Sequence, residues 1–232
     1  MMSHSRQSDM TSARRLKKDR THELVLQAKK RVLDVIDSIP PQDLVYAIKD
    51  APSLRGMILG YVAEYQFLQY LKNLGRFSDL SQPDDHDRTQ NKADILISYT
   101  GIRISFQLKS IQTNSIAYLT GDELLIADVQ NDASDKRTIT LPNGHNVETT
   151  NYKVGDYDIL AVPLFPFSGE WNFAYMLNSE CRRTDSKKYN EEDKQFLLKT
   201  TERITYPLSS PWTNSLDEII LRACKHKKAK NP

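Results

Sequence analysis

The clearest alternation of apolar and polar positions lies in residues 94–109, Asp-Ile-Leu-Ile-Ser-Tyr-Thr-Gly-Ile-Arg-Ile-Ser-Phe-Gln-Leu-Lys. Two β-branched, apolar-rich runs flank Thr100-Gly101, a pattern that predicts a β-hairpin. With those two residues as the loop, Tyr99 faces Ile102, Ile97 faces Ile104 and Ile95 faces Phe106. A four-residue loop over 99–102 keeps the same pairs. Successive side chains alternate between faces, so these pairs and Leu108 make one apolar face. The other face carries Asp94 opposite Gln107, Leu96 opposite Ser105 and Ser98 opposite Arg103, with Lys109 on the same side. A three-residue loop would move Asp94 away from Gln107; only the first register gathers those seven apolar residues on one side.

Before the hairpin the pattern is helical. Leu24, Leu26, Ala28, Val32, Leu33, Val35 and Ile36 approximate a stripe that Thr21 can cap and Pro40-Pro41 end. Pro41 can open a second helix through Leu44, Val45 and Ile48. Ser53 can cap a longer helix over 54–74, stopped by Gly75. There Met57, Ile58, Tyr61, Tyr65, Leu68 and Leu71 form the predicted buried face, with Glu64 within or beside it. A carboxylate so placed needs a partner. A metal ion or its waters would serve, as would an arginine or solvent at a helix edge.

Residues 76–93 read as a long polar loop. After the hairpin, strands are predicted over 124–129, 138–141 and 147–150, the last two flanking Pro142-Asn143-Gly144 in a second, more exposed hairpin. Its arms offer Thr138, Thr140, His145, Asn146, Glu148, Thr149, Thr150 and Asn151 as groups able to read base edges, although any exposed hairpin is polar. Residues 157–165 are the most continuous apolar run, as a strand covered on both faces would be. A hairpin leads to a strand over 171–177, then a short helix over 191–199, a strand over 203–208 and a final helix over 215–223 capped by Ser215. The sum is an α/β fold with a mixed central β-sheet flanked by helices. Residues 1–20 read as a flexible basic arm. Residues 21–232 read as one domain, with a helical start over 21–75, a core over 76–177 and a C-terminal part over 178–232.

Composition narrows the classes. At 232 residues and 39% hydrophobic, the chain can bury one large core or two small ones. A net charge of +2 does not by itself argue for nucleic acid, but its distribution is uneven. Arg14, Arg15, Lys17, Lys18 and Arg20 cluster at one end; Arg222, Lys225, Lys227, Lys228 and Lys230 cluster at the other. Basic ends can hold phosphates, and they also solubilise termini. Cys181 and Cys224 make no disulfide framework and no metal-binding spacing, which fits a reducing cytoplasm. The start is polar rather than a leader peptide, and no stretch approaches membrane-span length. There is no glycine-rich phosphate loop. His4, His22, His86, His145 and His226 are scattered, which argues against zinc, and no nucleophile elbow is present.

Asp94 and Gln107-Leu108-Lys109 resemble the PD-(D/E)XK nuclease superfamily, in the variant where Gln replaces the second acidic residue. Gly60-Tyr61-Val62-Ala63-Glu64 resembles the helical glutamate of many such nucleases, and Tyr157-Asp158-Ile159-Leu160-Ala161-Val162 resembles the core strand that follows. The resemblance covers roughly residues 54–177. The literal Pro-Asp is Pro83-Asp84, whereas Asp94 follows Ala93. Asp94 is preferred because it abuts the strand and faces Gln107, and Asp84 stays open as the alternative. A solvated sheet surface can carry the same three polar residues; Glu64, in the order the family demands, favours a site.

The resemblance implies a restriction-endonuclease-like core and a Mg²⁺-dependent endonuclease acting on double-stranded DNA. Asp94, the Gln107 oxygen and the Leu108 carbonyl would hold the ion. Lys109 would orient and help deprotonate water, and Glu64 would act through metal-associated water or a second ion. A type II restriction enzyme is the favoured member, and cutting both strands would make it a homodimer. A structure-specific, repair or phage-defence nuclease of the same fold is the alternative. A non-catalytic DNA-binding domain is a further one, against which the intact residue set speaks.

Overall fold

The computed structural model describes residues 23–28, 30–31, 34–83, 93–121 and 123–230. The basic arm over 1–20, Asp84 and His86 lie outside them. The chain divides into two compact units, 1–56 and 57–232. In the first, residues 23–28 and 34–38 are helical, and helix α1 (Pro41–Asp50) opens on a proline. There the missing N–H and fixed φ suit the first helical turn. Helix α2 (Pro52–Leu74) also begins on a proline, two residues before the expected start.

The second unit is organised by a five-stranded sheet in the order β1-β2-β3-β8-β9. Its strands are β1 (Ser78–Ser81), β2 (Ile95–Tyr99), β3 (Ile102–Leu108), β8 (Ile159–Pro163) and β9 (Phe173–Leu177). Only β3 and β8 run parallel, so the sheet is mixed. The β2–β3 hairpin adopts the register read from the pattern: Ile95↔Phe106, Ile97↔Ile104 and Tyr99↔Ile102. Thr100 and Gly101 have φ of 49° and 78°, the paired positive values of a type I′ turn whose twist matches the strands. β1 falls in the stretch read as a polar loop. Ser-Asp-Leu-Ser has no alternation to announce a strand, and it forms by adding to the β2 edge through Ser78↔Ser98 and Ser81↔Leu96.

The expected apolar face of the hairpin is the core. Ile95, Ile97, Ile104, Phe106 and Leu108 pack with Ile159, Ala161, Phe173 and Leu177 under α2 and the final helix, α3 (Leu216–Lys230). Burying each large side chain contributes about 1.5–3 kcal/mol. α2 buries Leu71 of the predicted face, but with Ala63 and Phe67, while Met57, Tyr61 and Tyr65 of that face are exposed. The helix is apolar almost all round, so periodicity alone does not choose its side. The choice is made by the aromatic contacts of Phe67 with Phe106 (5.1 Å) and Phe173 (4.9 Å). α3 starts with Ser215 Oγ accepting the Glu218 N–H at 3.3 Å, as its sequence predicts, and runs past Ala223 to Lys230.

The opposite sheet face, with Leu160, Val162, Ala174 and Met176, packs on a second sheet rather than on helices. That sheet has the order β10-β5-β4, from β10 (Thr201–Tyr206), β5 (Leu124–Gln130) and β4 (Ala117–Leu119). A two-stranded ribbon joins β6 (Asp132–Thr140) to β7 (Asn146–Asn151) around the expected Pro142-Asn143-Gly144 turn. β4 to β7 all sit in the crossover between β3 and β8, whereas β10 comes after β9. Asp158 fixes that parallel pair: its Oδ2 accepts the Ser105 N–H (2.8 Å) and hydroxyl (2.9 Å) and pairs with Lys227 (2.7 Å). Among the described residues no helix is long and apolar enough to cross a membrane.

Candidate active site

The end of the β2–β3 hairpin brings three of the expected residues into contact. The ladder stops at Ile95↔Phe106, and the Asp94 N–H donates to the Phe106 carbonyl at 2.9 Å. From there the Asp94 side chain continues the pairing. Its Oδ2 accepts the Gln107 Nε2–H at 2.5 Å and the Leu108 backbone N–H at 2.6 Å. Gln107 is 3% exposed, and its Oε1 is buried with no hydrogen-bond partner among the described residues. Buried amide oxygens are nearly always paired, so this one marks a place where a cation or donor belongs. The Leu108 side chain is in the core.

Lys109 follows on the same face. Its Nζ donates to the Asp132 carbonyl at 2.8 Å and lies 5.3 Å from the centre of the Tyr152 ring. Burial pushes its pKa down, and the carboxylates of Asp94, Asp132 and Glu64 oppose the shift. Burial disfavours the charged ammonium while nearby anions favour it. Glu64 is half-buried on α2 and accepts the Gln82 Nε2–H at 3.3 Å, beside the face of Ala63, Phe67 and Leu71. It therefore reaches Lys109 electrostatically.

Tyr152, Arg137 and Asp132 belong to this neighbourhood and were not among the predicted site residues. Arg137 lies 5.2 Å from the same Tyr152 ring, so two cations flank one aromatic. It also donates to the Thr150 and Asn151 carbonyls and pairs with Asp156 at 3.6 Å. The Tyr152 phenol is held protonated by burial first, then by Asp94. No local pattern marks these residues; only the folding of the β6–β7 ribbon onto β3 brings them to Lys109.

Of the groups that the second hairpin offers for reading bases, two need correction. Thr149 and Asn151 are buried, and Thr149 Oγ1 bonds Asn151 Oδ1 (2.8 Å) and the Tyr189 hydroxyl (2.6 Å). His145 Nδ1 is engaged with Asp193 at 2.8 Å, and Thr140 donates to Asn146 Oδ1 at 2.7 Å. Two of the basic residues near the C-terminus are likewise committed: Arg222 pairs with Glu180 and Glu218, and Lys227 with Asp158 and the Arg103 carbonyl.

The donor set can be tested against the implied ion. Among the described residues no three His, Cys, Asp or Glu side chains gather closely enough to hold a metal, so an all-acid cage is not formed. What is present is a carboxylate, an amide oxygen without a partner and the adjoining backbone, an all-oxygen set. Mg²⁺ accepts such sets and keeps several waters. The residues fit.

No protein-family model matches the chain, and no curated protein matches it. Among solved structures, a bacterial homing endonuclease is similar: 18% identical, with the likeness covering 60% of this chain and 85% of that one at a TM-score of 0.34. A score of that size marks a loose likeness, and the functional reading rests on the geometry of the site.

Proposed function

We propose that the chain is a Mg²⁺-dependent endonuclease that hydrolyses phosphodiester bonds of double-stranded DNA. The observation carrying this reading is the buried Gln107 Oε1, without a hydrogen-bond partner among the described residues, on the residue that pairs with the Asp94 carboxylate and two residues from a desolvated lysine. Asp94, Gln107 and the Leu108 carbonyl would hold the ion, with Glu64 at an outer or second position. When bound, Mg²⁺ supplies Lewis-acid activation of water and neutralises phosphate charge. Lys109 is preorganised by the Asp132 carbonyl and the Tyr152 ring. Its Nζ can orient the attacking water and meet the charge developing on the phosphate.

The favoured member of this class is a type II restriction enzyme acting as a homodimer, because one site cuts one strand and a double-strand cut needs two. The basic arm over 1–20 would add phosphate contacts, so its removal should weaken binding and flatten the salt dependence. Plasmid cleavage against Mg²⁺ concentration tests the assignment. Discrete bands indicate sequence specificity, a smear indicates a nuclease without it, and uncut DNA indicates a binding domain. Asp94→Ala and Lys109→Ala should each abolish cleavage. Lys109→Ala should also keep DNA affinity in Ca²⁺ within about tenfold, or roughly 1.4 kcal/mol, because many phosphate contacts share the affinity. If both variants cut at the parental rate, this hairpin is not the active site.

A further inference from the structure

A cavity of about 230 Å³ opens between the ends of β8 and β9, α2 and β10, away from Asp94 and Lys109. It is smaller than the roughly 300–1,000 Å³ of drug-sized sites and suits a single ring system. Its floor is Phe173 and Tyr175, and its walls include Trp171 and Tyr206. Both wall rings are braced from behind. Trp171 stacks on Phe165 (5.1 Å, 24° between planes), and Tyr206 stacks on Phe167 (5.5 Å, 22°). Their orientation is set before any ligand arrives, so stacking on them orders little else.

The polar groups are neutral. Asn214 supplies a side-chain amide, and so does Asn172, whose Nδ2–H donates to Glu170 Oε2 at 2.9 Å. Tyr175 lines the cavity and is only 2% exposed. Burial holds that phenol protonated, so it remains a donor. No charged side chain lines the cavity, which disfavours a phosphate or carboxylate as the occupant. Flat aromatic faces joined to amides and a hydroxyl match the faces and edges of a nucleobase.

The position joins this cavity to the candidate active site. Gln107 is paired with Leu160 on the parallel strand β8, and that strand ends at Pro163, next to Leu164, which lines the cavity. Three residues of strand advance about 10 Å, close to three steps of a duplex at about 3.4 Å each. The displacement follows the direction in which β3 delivers Lys109. We propose that this cavity binds one nucleobase, presented by an unpaired or extrahelical nucleotide of the DNA strand held at the candidate active site. The inference rests on the nuclease reading for the source of the base.

Three probes test it in Ca²⁺ by fluorescence anisotropy and tryptophan fluorescence: a short single-stranded oligodeoxynucleotide, an abasic strand of equal length and charge, and free adenosine or thymidine. The parent should bind the base-bearing strand at least about tenfold tighter than the abasic one, the scale of one base–aromatic stack. Trp171→Ala should lose most of that preference, as should Asn214→Ala, an exposed position whose substitution leaves the core intact. Circular dichroism of each variant verifies folding. Equal binding of the two strands by the parent, or an undiminished preference in both variants, overturns the proposal. A Trp171-dependent response to free nucleosides without strand discrimination overturns the DNA strand as the source. Uncut plasmid with base preference intact would defeat the nuclease reading alone; intact cleavage without base preference would defeat this inference alone.

Discussion

Gln107→Glu separates a cation site from a polar sheet face, and the structure sets the size of its effect. The parent amide donates to Asp94 Oδ2 at 2.5 Å, a hydrogen bond to a charged acceptor worth about 1.5–3 kcal/mol. The substitution removes the donor and sets a second carboxylate against the first in a position only 3% exposed. Two unit charges about 4 Å apart repel by about 4 kcal/mol at an effective dielectric of about 20. Uptake of one proton by the pair limits that cost. We therefore expect a destabilisation of about 3 kcal/mol in chelator near pH 8, or a fall in Tm of about 6–12 °C for a chain of this length. The deficit should shrink as pH falls and the pair takes up its proton. Adding Mg²⁺ should raise the Tm of Gln107→Glu more than that of the parent, because the ion then meets two carboxylates instead of one. Cleavage should survive, at an equal or lower Mg²⁺ requirement. Thermal unfolding of parent, Gln107→Glu and Gln107→Met in chelator and in Mg²⁺ gives the answer. An unchanged Tm for Gln107→Glu in chelator would refute the amide–carboxylate contact. A Tm indifferent to Mg²⁺ in both proteins would refute the cation site.

Other parts of the molecule give further tests. Thr100, a β-branched residue at φ 49°, carries left-handed strain of about 1–2 kcal/mol, partly offset in Thr100→Gly by added unfolded-state freedom. Chemical denaturation should show Thr100→Gly stabilised by roughly 0.5–1 kcal/mol, and a loss of stability would contradict the turn assignment. The hydrogen bond to Asp193 raises the His145 pKa above 6.5. Its stabilisation is therefore complete below that ordinary value and lost as pH rises through the folded one. The Tm advantage of the parent over His145→Ala should be greatest near about pH 6 and gone by about pH 9; a constant advantage would show that the imidazolium is not involved. Burial pushes the Cys181 thiol up to about 12, and buried thiols are poor nucleophiles. Iodoacetamide at pH 8 should leave Cys181 unlabelled until the protein is unfolded, and rapid native labelling would contradict its burial.

The sequence by itself determined those features whose cause is local. Strict alternation around a two-residue loop leaves one register that buries Ile95, Ile97, Ile104 and Phe106 together, and the same register sets Asp94 toward Gln107. The most continuous apolar run, 157–165, contains the inner strand β8, and Ser215 with Glu218 announces the start of α3. Tertiary structure decided what depends on partners distant in the chain. α2 is apolar on several sides, and the side it buries was selected by Phe106 and Phe173 against Phe67. β1 and β4 lack a pattern of their own and exist because β2 and β5 offer edges to pair with. Thr149 and Asn151 read as solvent-facing donors, yet Tyr189 and the Leu198 carbonyl satisfy them and permit their burial. Tyr152, Arg137 and Asp132 come to Lys109 only through the crossover between β3 and β8. A polar residue's role follows from the groups that meet it, and long-range topology chooses those groups.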